Sequence, residues 1–439
     1  MRILPILFIV FVDMLGLTII LPLLHIYAAA FGAGPLEIGV VAAAYPLMQL
    51  VGAPIIGRLS DRYGRKPLLM ISQVGTLIGF LMLAFANSLG MVLLSRMIDG
   101  LSGGNLSVAQ AALTDLSSEK TRTQALGLTG AAFGLAFILG PAGSAVILAF
   151  GDNNYVYPAL TAAIYSLLSI GLTYFGFRET RLEATNRNRD STSFSPADIW
   201  QTVRRPLIAS LLVLIFAQQL IFYGFENLLG LFTLSRLGMT GDGNALIFVF
   251  VGIILVTVQV RYIGPWSRKY GERRLIYTGL GALALGLVLM SFTPRQPPPL
   301  YSQRRLAAEL AQAGKNQQTL GETLNPRDLA VDLPPDGNTG LMGFVWLIVA
   351  MVPLSVGGAL LRPSINSLLT KGVKAENVGI ILGVSVSLVS LANAGAPVVA
   401  GLLFEVYGST VPFLVGGILM GLLFLAALRW LRPDTQALV

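Results

Sequence analysis

The chain has 439 residues, of which 54% are hydrophobic and 12% charged, with mean hydropathy +0.72. A soluble domain carries about 25% charged residues, and one this apolar could not cover its own surface, so the composition excludes a water-soluble globule and points to the bilayer. There is no Cys and the one His is His25, which excludes disulfides, thiolate chemistry and multi-His metal sites.

Runs long enough to cross a ~30 Å hydrocarbon core fall near 3–27, 36–57, 67–87, 90–115, 123–150 and 157–177, and again near 206–233, 243–263, 275–293, 341–370, 377–404 and 411–430. The first run is too long for the apolar core of a cleaved signal peptide and is read as a retained span. All twelve are expected to be helices, because lipid offers backbone polar groups no partner and the alternating pattern of barrel strands is absent. The fold class expected is therefore an all-α polytopic membrane protein. Its parts are an N-terminal six-helix bundle (1–177), a cytoplasmic linker (178–205), a C-terminal six-helix bundle (206–430) with a long non-cytoplasmic loop (294–340), and a cytoplasmic tail (431–439). The long loop is read as solvated, with a short helix in "SQRRLAAELAQAGK" and a substrate-gating cap as the alternative.

Charge placement sets the orientation. With the N-terminus inside, the inner loops hold Arg58, Arg62, Arg65 and Lys66, then Arg178, Arg181, Arg187, Arg189, Arg204 and Arg205, then Arg268, Lys269, Arg273 and Arg274. The outer connections are nearly free of Lys and Arg apart from the long loop, as the positive-inside rule requires. The net charge of +8 thus serves topology and contact with membrane lipid, and no nucleic-acid partner is expected. Both termini are placed in the cytoplasm of an inner (plasma) membrane protein.

"GRLSDRYGRKPLL" from Gly57 and "GPWSRKYGERRLI" from Gly264 repeat Gly, Ser, a basic residue, Tyr and Gly in register, 207 residues apart. Each follows the second span of its half, as a duplicated six-helix unit would place it. In the first copy Gly57 would allow close helix contact, and Asp61 would face a helix N-terminus. Arg62, Arg65 and Lys66 beyond Gly64 would pair with acids at helix ends, Asp115 first among them. In the second copy Arg268 replaces Asp61 and Glu272 replaces Arg65, so only the first copy is expected to work as a latch.

"GRLSDRYGRK" resembles the signature cytoplasmic loop of the major facilitator superfamily. "RMIDGLSGGNLSVAQAALTDLS" from Arg96 resembles the fourth span of its drug–proton and tetracycline–proton antiporters, and "FVDMLGLTIILPLL" from Phe11 resembles their first span with its intramembrane Asp. "GLAFILGPAGSA" from Gly134 resembles their fifth-span exporter motif, in which Gly140 and Pro141 permit a helix kink. The resemblance implies two pseudo-symmetric bundles rocking about a midplane site. It also implies that the latch contacts form only when the cytoplasmic side is closed, that Arg96 takes part in proton coupling, and that the chain acts as a monomeric proton-coupled exporter. It implies no enzyme activity and no cofactor; a Walker A sequence is absent, so ATP is not the direct driver.

As one helix, Arg96, Gly100, Gly103, Ser107, Gln110 and Thr114 recur at spacings of 4, 3, 4, 3 and 4 and share a face. Arg96 is too costly to face lipid and should find a partner inside the bundle; Asp99, one turn on, is expected to depart toward an adjacent face. Asp13 is the first candidate proton carrier and Glu226 the second, since intramembrane acids are functional by default and burial disfavours their charged form. Gln219, Tyr223, Glu226 and Gly230 share a helix face. Arg362, above Asn366 and Thr370, mirrors Arg96 in the other half. Tyr45, Gln49, Phe133, Phe222 and Tyr223 complete a cavity suited to a small lipophilic, even cationic, compound. A metabolite uptake symporter or uniporter is the alternative, and a non-transporting receptor is a further one.

Overall fold

The computed structural model describes residues 3–431 except 118, 152, 181–202, 300, 305, 307–309, 311–329 and 374–377. Most of the expected linker, the middle of the long loop with the second half of its anticipated helix, and the tail at 432–439 lie outside the described residues.

Among the described residues the chain is all helix and turn, without strands. Span one is Leu4–Ala29, bent through a short 3-10 turn at Leu21–Leu23. Spans two and three are Pro35–Tyr63 and Arg65–Ala84, and spans five and six are Glu119–Phe150 and Val156–Gly176. Spans seven to nine are Pro206–Leu237, Gly241–Tyr270 and Glu272–Ser291, and spans ten to twelve are Met342–Lys371, Val378–Tyr407 and Val411–Trp430. Eleven of these helices are long and apolar enough to cross a membrane.

The remaining crossing, span four, is not one helix. It is built from Leu89–Ser102 and Asn105–Leu116, separated by Gly103 and Gly104. Gly103 has ψ +37, outside the helical region. A break at this depth frees a carbonyl that lipid cannot satisfy, and the Gln49 side-chain amide donates to the Gly103 oxygen at 3.0 Å. The continuous face drawn from Arg96 to Thr114 therefore ends at Gly103. The sequence hid the break because two adjacent glycines are ordinary inside membrane helices.

The duplicated loops have matching backbones. Gly64 and Gly271 join spans two to three and eight to nine with φ of +109 and +78, a region that a Cβ-bearing residue rarely enters. We call this the latch end of the molecule and the opposite one the far end. Hydrogen bonds that join the two halves gather at the far end. Leu36 N–H donates to Glu405 at 2.9 Å, Asn244 Nδ2 to the Pro22 carbonyl at 2.7 Å, and Gly241 N–H to the Tyr155 hydroxyl at 3.2 Å. There the helices are in backbone contact. A Cβ at Gly39 would land on the Pro397 carbonyl oxygen, and one at Gly401 would sit 2.6 Å from that of Pro35.

The ends of the long loop are packed, not solvated as anticipated. Leu306, Leu310, Val331 and Leu333 are buried in the main apolar core. Arg295 pairs with Asp332 at 2.8 Å and donates to the Leu333 carbonyl, while the Tyr301 hydroxyl donates to the Pro334 carbonyl at 2.8 Å. Four apolar side chains and closely spaced prolines give this polar stretch enough to fold against.

Candidate functional site

Both repeat loops carry an ion pair built on the same scaffold. In the first half Arg65 Nε donates to Asp115 at 3.0 Å, Nη2 pairs with Asp61 at 2.7 Å and Nη1 donates to Ser60 Oγ at 2.7 Å. The Arg65 side chain is 7% exposed and that of Asp115 11%. Glu179, a partner beyond the reach of motif spacing, accepts from the backbone N–H groups of Arg65 and Lys66 at 2.9 and 3.0 Å, capping span three. Lys66 Nζ donates to the Tyr174 carbonyl rather than to an acid, and Arg62 lies over the Tyr63 ring. Asp61, expected at a helix N-terminus, is held by Arg65 one turn on.

Arg65, Asp61 and Asp115 all belong to one half, so their pairing needs no partner from the other half. Two corrections follow. Gly57 meets no atom within 4 Å of an added Cβ; the close helix contacts are made at Gly52 and Gly100, whose added Cβ would lie 2.9 Å from the Cα of Leu101 and of Tyr45. The second copy is also not degenerate. Glu272, at the position of Arg65, pairs with Lys371 at the end of span ten and accepts from Ser267, at the position of Ser60, at 3.2 Å. The scaffold is retained with its charges reversed.

The polar cluster inside the first half is wider than the motifs indicated. Arg96 Nη1 lies 3.2 Å from Asp99, both side chains 3% exposed, and the guanidinium sits over the Phe80 ring. Asp99 thus joins Arg96 rather than departing from it. Gln73, wholly buried, donates to Ser169 at 2.7 Å and reaches Asp13 at 3.5 Å. Asn105, exposed to the cluster by the break in span four, borders Asp13. Among the described residues Arg96 Nε and Nη2, Gln73 Oε1 and Asn105 Oδ1 are buried and meet no hydrogen-bond partner. The sequence signal for the cluster was Gly75-x-x-x-Gly79 in span three, a small-residue spacing that lets membrane helices approach. A Cβ at Gly79 would sit 3.0 Å from Asp99 Cβ.

Glu226 has no hydrogen bond or ion pair among the described residues. Gly230, one turn on, is pressed by the ring of buried His25 from the other half, so Glu226 lies on the face of span seven that turns toward that half. Tyr223 on this face is within electrostatic reach of Tyr45, which in turn reaches Asp13, Arg96 and Asp99. Gln49 donates to the Tyr45 hydroxyl at 3.0 Å, and Gln219 to Asn393 of span eleven at 2.8 Å. Arg362 is exposed well inside span ten, one turn beyond Gly358, which packs on Phe222. Asn366 Oδ1 is buried and meets no hydrogen-bond partner among the described residues. Phe133 is 43% exposed and stacks toward Phe137 at 5.9 Å, whose ring meets Phe248 of span eight at 6.1 Å. The Gln110 carbonyl accepts from the Thr114 hydroxyl at 2.8 Å. Span five remains helical through Pro141, and Gly140 admits Thr18, whose Oγ1 lies 2.8 Å from the Ala136 carbonyl. Among the described residues no three His, Cys, Asp or Glu side chains gather as metal ligands would.

This arrangement, two bundles carrying a duplicated latch loop, has a sequence counterpart: the Major Facilitator Superfamily profile matches residues 6–301. The chain belongs to the major facilitator superfamily. It is 26% identical over 442 residues to the class H tetracycline resistance protein of Pasteurella multocida, covering 99% of this chain and 97% of that one. It is 22% identical to multidrug resistance protein 2 of Bacillus subtilis (strain 168), covering 94% and 90%. Among solved structures, the nucleoside transporter NupG shares the fold with a TM-score of 0.71 at 14% identity, covering 98% of this chain and all 100% of that one. The superfamily member is thus a multi-pass membrane transporter, similar to drug–proton antiporters.

Proposed function

We propose that the chain exports a small lipophilic compound in exchange for protons, with the latch end in the cytoplasm. The observation that carries this reading is the placement of two intramembrane carboxylates. Asp13 lies in the buried polar cluster of the first half, and Glu226, with no partner among the described residues, stands on the facing wall of the second. Between them lie Tyr45 and Tyr223, aromatic faces suited to an apolar or cationic ligand. The relatives named for tetracycline and multidrug resistance support export over uptake.

The transport cycle follows from differential stability. Protons entering from outside neutralise Asp13 or Glu226, which releases a substrate held by the ionised form. Each proton contributes about 2.3 kcal/mol per 100 mV of membrane potential, plus the pH gradient. Arg96 and Asp99 rearrange with Asp13 because all three share one cluster. The test is a proteoliposome with an imposed pH gradient, in which lumenal pH is followed as lipophilic drugs and metabolites are added. Substrate-evoked proton movement that vanishes in Asp13→Asn is the expected result, and its direction distinguishes exporter from symporter. Substrate flux with no proton movement, unchanged in Asp13→Asn, would overturn coupling and leave a uniporter.

A further inference from the structure

The far end of the molecule carries a device that no motif marks. Span two begins at Pro35, which has no N–H, and its N-cap is Gly34, which has no side chain. The helix therefore supplies no side-chain cap for its own first-turn donors, which otherwise need one. Glu37 turns back to accept from the Gly34 N–H at 2.9 Å. The Leu36 N–H is taken by Glu405, 2.9 Å away and 369 residues on, from span eleven of the other half.

Glu405 does not stand alone. Glu405, Gly401 and Pro397 recur every four residues and so share one helix face. All three meet the start of span two: Glu405 at Leu36, Gly401 at Pro35, and the Pro397 carbonyl at Gly39. The two glycines bring the backbones close enough for the carboxylate to reach the helix N-terminus, where the macrodipole favours an anion.

The geometry points to Glu405 as a gating residue that holds the far end shut by capping a helix of the opposite half. The inference rests on the transport reading, in which the halves part at the far end once per cycle. Parting there breaks the Leu36–Glu405 bond and leaves the Leu36 N–H without its carboxylate acceptor, while Glu37 still holds the Gly34 N–H. The contact thus weights the balance toward the state with the far end closed. An anion at an exposed helix N-terminus stabilises by roughly 0.3–1 kcal/mol, equivalent to about a two- to fivefold change in the ratio of open to closed molecules.

The chain has no Cys, so spin labels can be placed on Val40→Cys and Val406→Cys without competing thiols; both native residues are exposed, 40% and 60%. Pulsed electron–electron distance measurements in nanodiscs then report the far-end opening. Glu405→Ala should raise the long-distance population about two- to fivefold, and Glu405→Gln, which keeps an acceptor but no charge, by less. Leu36→Pro removes the donor while Pro remains tolerated in a first helical turn. It should reproduce the shift alone and add little to Glu405→Ala. Long-distance populations unchanged in all three variants would overturn the assignment. Gly39→Phe, which forces the seam apart, calibrates the open distance. If even that variant shows one distance, the rocking of the halves is itself refuted, and the role of Glu405 with it.

Discussion

Arg65→Ala tests how the two repeat loops differ in depth. The guanidinium is 7% exposed and serves Asp115, itself 11% exposed, together with Asp61 and Ser60. Removing it leaves Asp115, among the described residues, with the Thr180 hydroxyl at 3.4 Å. Loss of one partner from a buried pair costs about 3–5 kcal/mol, because the other charge stays desolvated. An unfolding entropy of about 2.1 cal/mol/K per residue, applied to 439 residues, gives about 0.9 kcal/mol/K. Arg65→Ala should therefore lower Tm by about 3–5 °C in detergent. Lys371 is 62% exposed, and the Glu272 it leaves behind, 15% exposed, keeps the Ser267 and Ser367 hydroxyls at 3.2 Å; a pair with one solvated partner contributes about 0–1 kcal/mol, so Lys371→Ala should move Tm by about 1 °C or less. The assay is thermal unfolding followed by intrinsic fluorescence, repeated at high salt, which screens only the exposed pair. Equal shifts for the two variants, or a shift under 1 °C for Arg65→Ala, would refute the argument from burial.

Reversing the second pair, Glu272→Lys with Lys371→Glu, should restore whatever transport either single change removes; failure of the double variant to recover would deny that the pair acts as a unit. Gly79→Val should part spans three and four where Asp99 touches the glycine, abolishing substrate-evoked proton movement in proteoliposomes while membrane insertion, followed by protease protection, is retained. Thr18→Val, which removes the hydroxyl beside the Ala136 carbonyl, should cost about 0.5–1.5 kcal/mol, seen as a Tm lower by about 1–2 °C. Gly140→Leu, which would strike the Thr18 side chain, should instead prevent the two spans from packing and lower the yield of folded protein.

Span number, the duplicated loop and the family were legible because each rests on local signals: hydropathy over about 20 residues, and Gly64 and Gly271 recurring in register. What depends on contacts distant in sequence was not. Glu179 lies beyond span six, yet caps span three. Gly57 was assigned a packing role by motif, whereas packing is decided by which face a neighbouring helix occupies, and Gly52 and Gly100 hold that place. The intact second loop escaped because comparing residue types at matched positions registers a charge change as a loss. Only the position of Lys371, at the end of span ten, shows that its partner changed as well. Asp13, Arg96 and Asp99 were legible as costly charges in an apolar run. Gln73, Ser169 and Asn105 carry no charge and leave no such trace.

The reversed charges of the two loops bear on how the halves avoid one another's partners during assembly. If both loops kept the original polarity, the Arg of one half could dock on the acid of the other, and the halves of two chains could exchange. With Arg65 matched to Asp115 and Glu272 to Lys371, either loop docked on the other half's span end sets like charges together, Arg65 on Lys371 or Glu272 on Asp115. Repulsion of this kind is how closely related surfaces are kept apart. The divergence of the duplicated loops thus reads as insulation, letting two copies of one ancestral unit fold side by side in the same membrane without confusing their own ends.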